Sequence, residues 1–166
     1  MIHVGIDNGL TGAAAVLYPS GSVEFFDTPT VKTGTKGRQE YDLFGVIELL
    51  RKLSAAHTPR TLMLTIEKAH VVPKMGGMSN FSKGFGYAAW LTAAIALGLP
   101  IQVTASKTWQ AVVMRDLPKV TDYAARKEQS RLKARQLYPQ AADQLARKKD
   151  HGRAEALLIA HYSKTH

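Results

Sequence analysis

The sequence predicts an α/β fold on a five-stranded mixed sheet, three antiparallel strands followed by two parallel ones, with helices flanking it. Three observations predict it. Short apolar runs at residues 2–7, 13–18 and 23–26 are separated only by turn-forming stretches, Asn8-Gly9-Leu10-Thr11-Gly12 and Pro19-Ser20-Gly21-Ser22, as in an antiparallel meander. Two further apolar runs, 61–67 and 101–104, each follow a segment of helical periodicity, the order that a parallel crossover needs. Everything beyond residue 104 reads as mainly helical.

Element by element, residues 28–39 are rich in Thr, Gly and Lys and read as an exposed loop. From Tyr41 to Ala55 the period changes: Leu43, Val46, Ile47, Leu50 and Leu53 recur at helical spacing, which makes an amphipathic helix. The run TLMLTIE (61–67) is a buried strand. Residues 71–83 hold Pro73, adjacent glycines and two methionines, and read as a mobile loop before a helix over 85–97. Helices are expected at 107–114, 121–138 and 150–163. The order is βββαβαβ followed by helices. With no internal repeat, low-complexity tract or linker, residues 1–166 form one domain.

Composition narrows the function classes. At 166 residues, 45% hydrophobic and 21% charged, the chain has enough apolar material for a core and is not of the disordered class. It has no cysteine, which excludes thiol catalysis, disulfide staples and thiolate zinc sites. Lys and Arg number 22 against 13 Asp and Glu, a formal net charge of +9 that points to a polyanionic partner, nucleic acid ahead of a membrane surface. The most apolar stretch, 87–101, is shorter than the roughly 20 residues that span a bilayer, and it contains Gly98 and Pro100. The opening Met-Ile-His-Val-Gly-Ile-Asp lacks the basic and apolar regions of a leader. A cytoplasmic protein with no membrane partner is expected, of a bacterial or phage-infected cell, or of an organelle after loss of a transit peptide.

On so basic a chain the placement of each carboxylate matters. Asp7 ends the first strand and Glu67 the fourth, where adjacent parallel strands bring their C-terminal ends together. Glu155 lies in the last helix with His151 four residues before it, so both share a helical face. If that helix packs across the strand ends, Asp7, Glu67, His151 and Glu155 converge. Clustered carboxylates repel unless cations intervene. Hard oxygen ligands with one imidazole suit Mg²⁺ or Mn²⁺, and two such ions support phosphodiester hydrolysis. Each residue also has a plainer reading. Asp7 before Asn8-Gly9 is equally a turn aspartate, Glu67 equally a solvated strand end, and His151 alone a helix-surface residue. Asp150 is better placed as the N-cap of the last helix than as a ligand, although whether it or His151 is the fourth ligand stays open.

These residues resemble a Holliday-junction resolvase of the RuvC type, within the ribonuclease H-like superfamily. GIDNGLTGAAAVL (5–17) is similar to that family's GIDPGxxxTG opening, with Asn8 in place of proline. IEKAHVVPKMGGMSNFSKGFG (66–86) resembles the segment carrying its glutamate and junction-contacting loop. ARKEQSRLKA (125–134) resembles the segment with an active-site lysine, and KKDHGRAEALLIA (148–160) its closing helix. FSKGFG, TWQ and the closing helix are most similar to the phage and chloroplast-type branch. Two departures stand out: the last acidic ligand is Glu155 rather than aspartate, and its partner is His151 rather than a carboxylate. The resemblance implies a ribonuclease H-like nuclease, a homodimer that resolves four-way DNA by two symmetric nicks. It implies two Mg²⁺ per site, replaceable by Mn²⁺, bridged by Asp7 and completed by Glu67, His151 and Glu155. Lys127 would sit near the scissile phosphate.

Basic residues crowd the second half: Lys107, Lys119, Arg126, Lys127, Arg131, Lys133, Arg135, Arg147, Lys148, Lys149 and Arg153. They read as a phosphate-binding stripe, with a solvated helix face as the plainer alternative. Met75, Met78 and Phe81, with Lys83 closing the same stretch, are candidates to enter the centre of a branched DNA, or else to plug a core. The apolar helix over 85–97 needs cover from the sheet or from a second copy; the family has its dimer contact there. Three competitors remain: an actin-like ATPase, which needs a second such domain; a ribonuclease H-like nuclease acting on structured RNA; and a junction-binding module without catalysis.

Overall fold

The computed structural model describes residues 1–34, 37–58, 60–73 and 76–166. Its main sheet has five strands in the order β3-β2-β1-β6-β7: β1 (Ile2–Asp7), β2 (Ala13–Leu17), β3 (Val23–Asp27), β6 (Leu62–Glu67) and β7 (Ile101–Thr104). β1, β2 and β3 pair antiparallel, while β6 pairs parallel to both β1 and β7. This is the mixed sheet expected from the spacing. The 28–39 segment departs from expectation: β4 (Thr30–Thr33) and β5 (Arg38–Tyr41) form a separate two-stranded hairpin. Its Thr and Val residues suit an extended backbone, and a hairpin with mostly exposed faces leaves no apolar alternation to read.

Strand alternation sends the two faces of the sheet into different cores. Ile2, Val4 and Ile6 of β1 and Leu62, Leu64 and Ile66 of β6 pack under α1 (Leu43–Ala56) and α2 (Gly77–Ala96) with Leu50, Leu53 and Trp90. The opposite face meets α5 (His151–Thr165), backed by α3 (Ser106–Val113) and α4 (Tyr123–Leu137), around Trp109, Tyr138, Leu157 and Leu158. Asp42 caps α1 by accepting from the Gly45 amide at 2.9 Å, and Asp122 caps α4 through the Ala125 amide at 2.7 Å. Two short 3-10 segments, Pro139–Leu145 and Lys148–Asp150, fill the gap before α5. No helix among the described residues is long and apolar enough to cross a membrane.

The expected 71–83 loop is largely helix. α2 starts at Gly77, and Asn80 ties the incoming chain to it by accepting from the Val72 amide at 2.9 Å and donating to the Val72 carbonyl at 3.3 Å. Met78, Phe81 and Lys83 are therefore helical, while Met75 lies outside the described residues. Gly76 and Gly77 misled the sequence reading, because they read as a loop by propensity, yet the helix starts there with Asn80 tied to the incoming chain.

α5 runs antiparallel to β1 and lies directly on it. Its Gly152 faces the Thr11 carbonyl at one end, and Ser163 meets the His3 ring at 2.9 Å at the other. Between them a Cβ on Gly5 would overlap the Ala156 carbonyl oxygen and the Ala160 amide nitrogen. Backbone occupies that space on both sides, so no rotamer change relieves it. Gly5→Ala is expected to destabilise the protein by about 1–3 kcal/mol or more, read as a fall in the urea midpoint; an unchanged midpoint would show that α5 does not sit this close.

Candidate active site

The period of two places Asp7 and Glu67 on the α5 face of the sheet. Ile6 pairs with Ile66 in the parallel ladder, so the two acids leave adjacent strands side by side. Asp7 also faces Ala13 across the antiparallel ladder. Because α5 is antiparallel to β1, its first turns arrive at this edge with His151 and Glu155. The helix N-terminus there carries partial positive charge, favourable to the acids it meets.

The carboxylates share one electrostatic field. Burial raises Glu155 to about 7, with the negative charges of Asp7 and Glu67 adding to the rise and Lys127 opposing it. Lys127 donates to Glu155 Oε2 at 2.7 Å, and its ammonium also lies 5.5 Å from the centroid of the Tyr123 ring. Burial works against the Lys127 charge, but Glu155 and Asp7 outweigh it and hold the ammonium more firmly protonated than usual. Burial and Lys127 lower His151, against opposing pulls from Asp7 and Asp150. The imidazole is thus neutral near pH 7, as a ligand must be. Its Nδ1 is buried with no hydrogen-bond partner among the described residues.

Several contacts hold the strand ends in register. Asp7 Oδ1 accepts from the Gly9 amide at 3.2 Å, so the turn reading of Asp7 is also true, at a single oxygen. Asn8 donates its side-chain amide to the Glu67 carbonyl at 2.6 Å and stitches β1 to β6. Tyr41 donates to the Asn8 carbonyl at 3.0 Å. Trp109, fully buried on α3, donates its indole N–H to Glu67 Oε2 at 2.7 Å. Sequence reasoning gave none of these three a role. A tyrosine or tryptophan reads as core, and nothing in its spacing says where its polar atom points.

Asp150 is turned elsewhere. It occupies the N-cap position of α5 without capping it, and instead accepts from the Arg147 backbone amide at 2.8 Å and from that residue's guanidinium. Burial would raise its carboxyl, but the Arg147 contacts prevail and lower it. Both oxygens are thereby engaged.

The basic stripe divides in two. Arg131 is buried, donating to the carbonyls of Leu145 and Ala146 at 2.9 Å and pairing with Glu128. Lys133 is buried against Asp116. These two hold the helices together rather than face a ligand. Arg153 is clamped to Asp27 at 2.6 and 2.7 Å. Lys107, Lys148 and Lys149 are exposed, as is Arg126, which lies 5.9 Å from the centroid of the Tyr123 ring. Lys83 is half-buried on α2. Exposed Phe81 stacks near Phe85 (6.1 Å between centroids) and Phe85 near Tyr41 (5.7 Å), an aromatic path toward the Asp7 edge.

The donor set, three carboxylates and a neutral imidazole, suits a hard divalent cation, and like-charge repulsion on Glu155 gives it a reason to bind one. Among the described residues, no three of these side chains are drawn together tightly enough to enclose an ion. The cation that Glu155 meets is the Lys127 ammonium.

Two solved structures share this architecture. A Thermus thermophilus RuvC in complex with Holliday junction substrate superposes with a TM-score of 0.65 at 18% identity, covering 98% of this chain and 92% of that one. A second Thermus thermophilus RuvC structure gives a TM-score of 0.58 at 20% identity with the same coverage, 98% and 92%. No protein-family model matches the sequence, and no curated protein does. At these identities the likeness is one of fold.

Glu155 binds its proton more tightly in the folded protein than in the unfolded chain. The stability this contributes is full below the ordinary value of 4.5 and is lost as pH rises through about 7. Asp7→Asn removes a like charge. It should lower the Glu155 titration seen by carboxyl ¹³C NMR, short of the ordinary value because burial remains. It should also stabilise the metal-free protein at pH 8 by on the order of 1–2 kcal/mol, a gain that shrinks as pH falls toward 4.5. A Glu155 titration unmoved by Asp7→Asn would mean the two acids do not share a site.

Proposed function

We propose that this chain is a divalent-metal-dependent endonuclease that resolves four-way DNA junctions by paired symmetric nicks. The observation that carries the reading is the electrostatic field that Glu155, paired with a buried lysine, shares with Asp7, Glu67 and His151 at the strand ends, on a fold shared with a RuvC solved on a Holliday junction. Either half alone is weaker, since the fold hosts many chemistries and acidic clusters serve many ends.

Asp7, Glu67, Glu155 and His151 would hold Mg²⁺, two ions per site, with Mn²⁺ as a substitute. Bound there, the ions would supply an activated water and charge stabilisation for the departing 3′ oxygen, leaving 5′-phosphate and 3′-hydroxyl ends. The protein's own groups do the rest. Asp7 and Glu67 stand on the ends of adjacent paired strands, which fixes their backbone positions relative to each other. Lys127, held protonated beside Glu155 and Asp7, would neutralise charge at the scissile phosphate. The exposed Lys107, Arg126, Lys148 and Lys149 are suited to phosphate contacts that fix the strand's register without reading sequence. Met78 and Phe81, exposed on α2, are suited to an unstacked junction centre.

A homodimer would bring two such sites to a substrate that is itself two-fold symmetric. Phe85 and Ile95 are exposed apolar residues on the stretch of α2 from 85 onward, which supports that part of the helix as the seam between copies.

One assay tests the reading: four-way junction, linear duplex and hairpin RNA, each with Mg²⁺ or with EDTA. Symmetric nicks confined to the junction are expected, lost in EDTA and in Asp7→Asn while junction binding persists. Preferential cleavage of the RNA would move the protein to another ribonuclease H-like activity, and binding without nicking would make it a junction-binding module. Lys127→Ala is expected to slow nicking by about 100-fold with junction affinity changed less than twofold; a matched loss of both would reduce Lys127 to a phosphate contact.

A further inference from the structure

We propose that Trp109 is a positioning residue for Glu67: its indole N–H holds one carboxylate oxygen and thereby aims the other at the metal. The inference rests on the metal-dependent function above. It concerns a residue outside the charged cluster, on an element that contributes none of the candidate metal ligands.

Glu67 is constrained from three directions. Its carbonyl accepts from Asn8 at 2.6 Å, on the β1 side. On the other side it is the ladder partner of Thr104, and the pairing continues past it through Lys68, whose amide donates to the Thr104 carbonyl at 2.8 Å. The backbone of Glu67 is therefore fixed, which leaves its side-chain torsions as the remaining freedom. α3 begins two residues after Thr104 and carries Trp109 back over the strand end, where Nε1 donates to Oε2 at 2.7 Å. The indole itself is fully buried, so its orientation is set by packing against the α5-side core.

The chemistry of the donor suits this task. An indole N–H only donates and carries no charge. It can orient a carboxylate without bringing a positive charge that competes with a metal ion, as Lys127 does at Glu155. Nor is Glu67 simply the acceptor that any buried indole must find, because Trp90 is equally buried and its Nε1 has no partner among the described residues. Groups that orient a metal ligand in this way typically contribute about 10–100-fold in metal affinity or activity.

Two measurements test it. In a Trp90→Phe background Trp109 is the sole tryptophan, and Mn²⁺ added without DNA should quench its emission, with Glu67→Gln abolishing the response. Separately, Trp109→Phe keeps the ring and removes the N–H. It should weaken Mn²⁺ binding by about 10–100-fold and raise the Mg²⁺ needed for half-maximal nicking by a similar factor, with junction affinity in EDTA unchanged. Mn²⁺ that binds wild type without altering Trp109 emission, or a folded Trp109→Phe with wild-type Mn²⁺ affinity and Mg²⁺ midpoint, overturns the proposal while leaving the nuclease reading intact. Should Trp109→Phe fail to fold, the fluorescence titration alone decides. A wild-type protein that neither binds Mn²⁺ nor nicks junctions would overturn both.

Discussion

The contact on which the site depends is the passage of α5 over Gly5. A side chain at that position would push the helix off β1 by the width of a methyl group or more. The helix brings its own small residues to the crossing, Gly152, Ala156 and Ala160, spaced four apart along one face. Close packing of this kind is a stability device in most proteins. Here it also sets a distance between charges, because Glu155 and His151 project from the same first turns that Gly152 and Ala156 seat against the sheet. Moving the helix out would leave the core only somewhat looser, yet the two halves of the site would part.

That proximity is costly as electrostatics. Glu155 is buried beside two other acids, and it is the group whose proton affinity rises most usefully, to about 7. Lys127 relieves part of the repulsion through one short ion pair. The arrangement is therefore balanced rather than relaxed: a single ammonium answers three carboxylates. A buried network that is only partly satisfied is a poor way to gain stability, and its usual justification is function. The neutral, unpartnered His151 belongs to the same argument, as a second group whose surroundings leave it available.

The sheet order, the amphipathic α1 and the ends of β1 and β6 were legible because each follows from a repeat: two for strands, near four for helices. The positions of Asp7, Glu67, His151 and Glu155 on their elements were legible for a related reason, since each sits where an element starts, ends or shows one face. What could not be read were interactions whose partner lies far off in sequence and whose geometry no period encodes. Trp109 to Glu67 and Asn8 to Glu67 are of this kind. The β4–β5 hairpin escaped notice because exposed strands carry no apolar alternation. The start of α2 was masked by Gly76 and Gly77, which read as a loop by propensity, whereas the Asn80 tether to Val72 holds the first turn.

The basic residues show why a net charge and a binding surface are different quantities. Arg131, Lys133, Arg147 and Arg153 all add to the +9, yet each is already engaged by Glu128, Asp116, Asp150 or Asp27. A cation that must keep an intramolecular partner releases no further counterion when DNA arrives, so it adds little to phosphate binding. Arg131 goes further, donating to the buried Leu145 carbonyl and to that of Ala146 as well as pairing with Glu128. Under the proposed function the salt dependence of junction binding therefore counts the exposed set, Lys107, Arg126, Lys148 and Lys149 among them, and not the formal charge. Lys148 and Lys149 lie three and two residues before His151, and Arg126 immediately precedes Lys127, so the cations left for phosphate border the acids that would hold the metals.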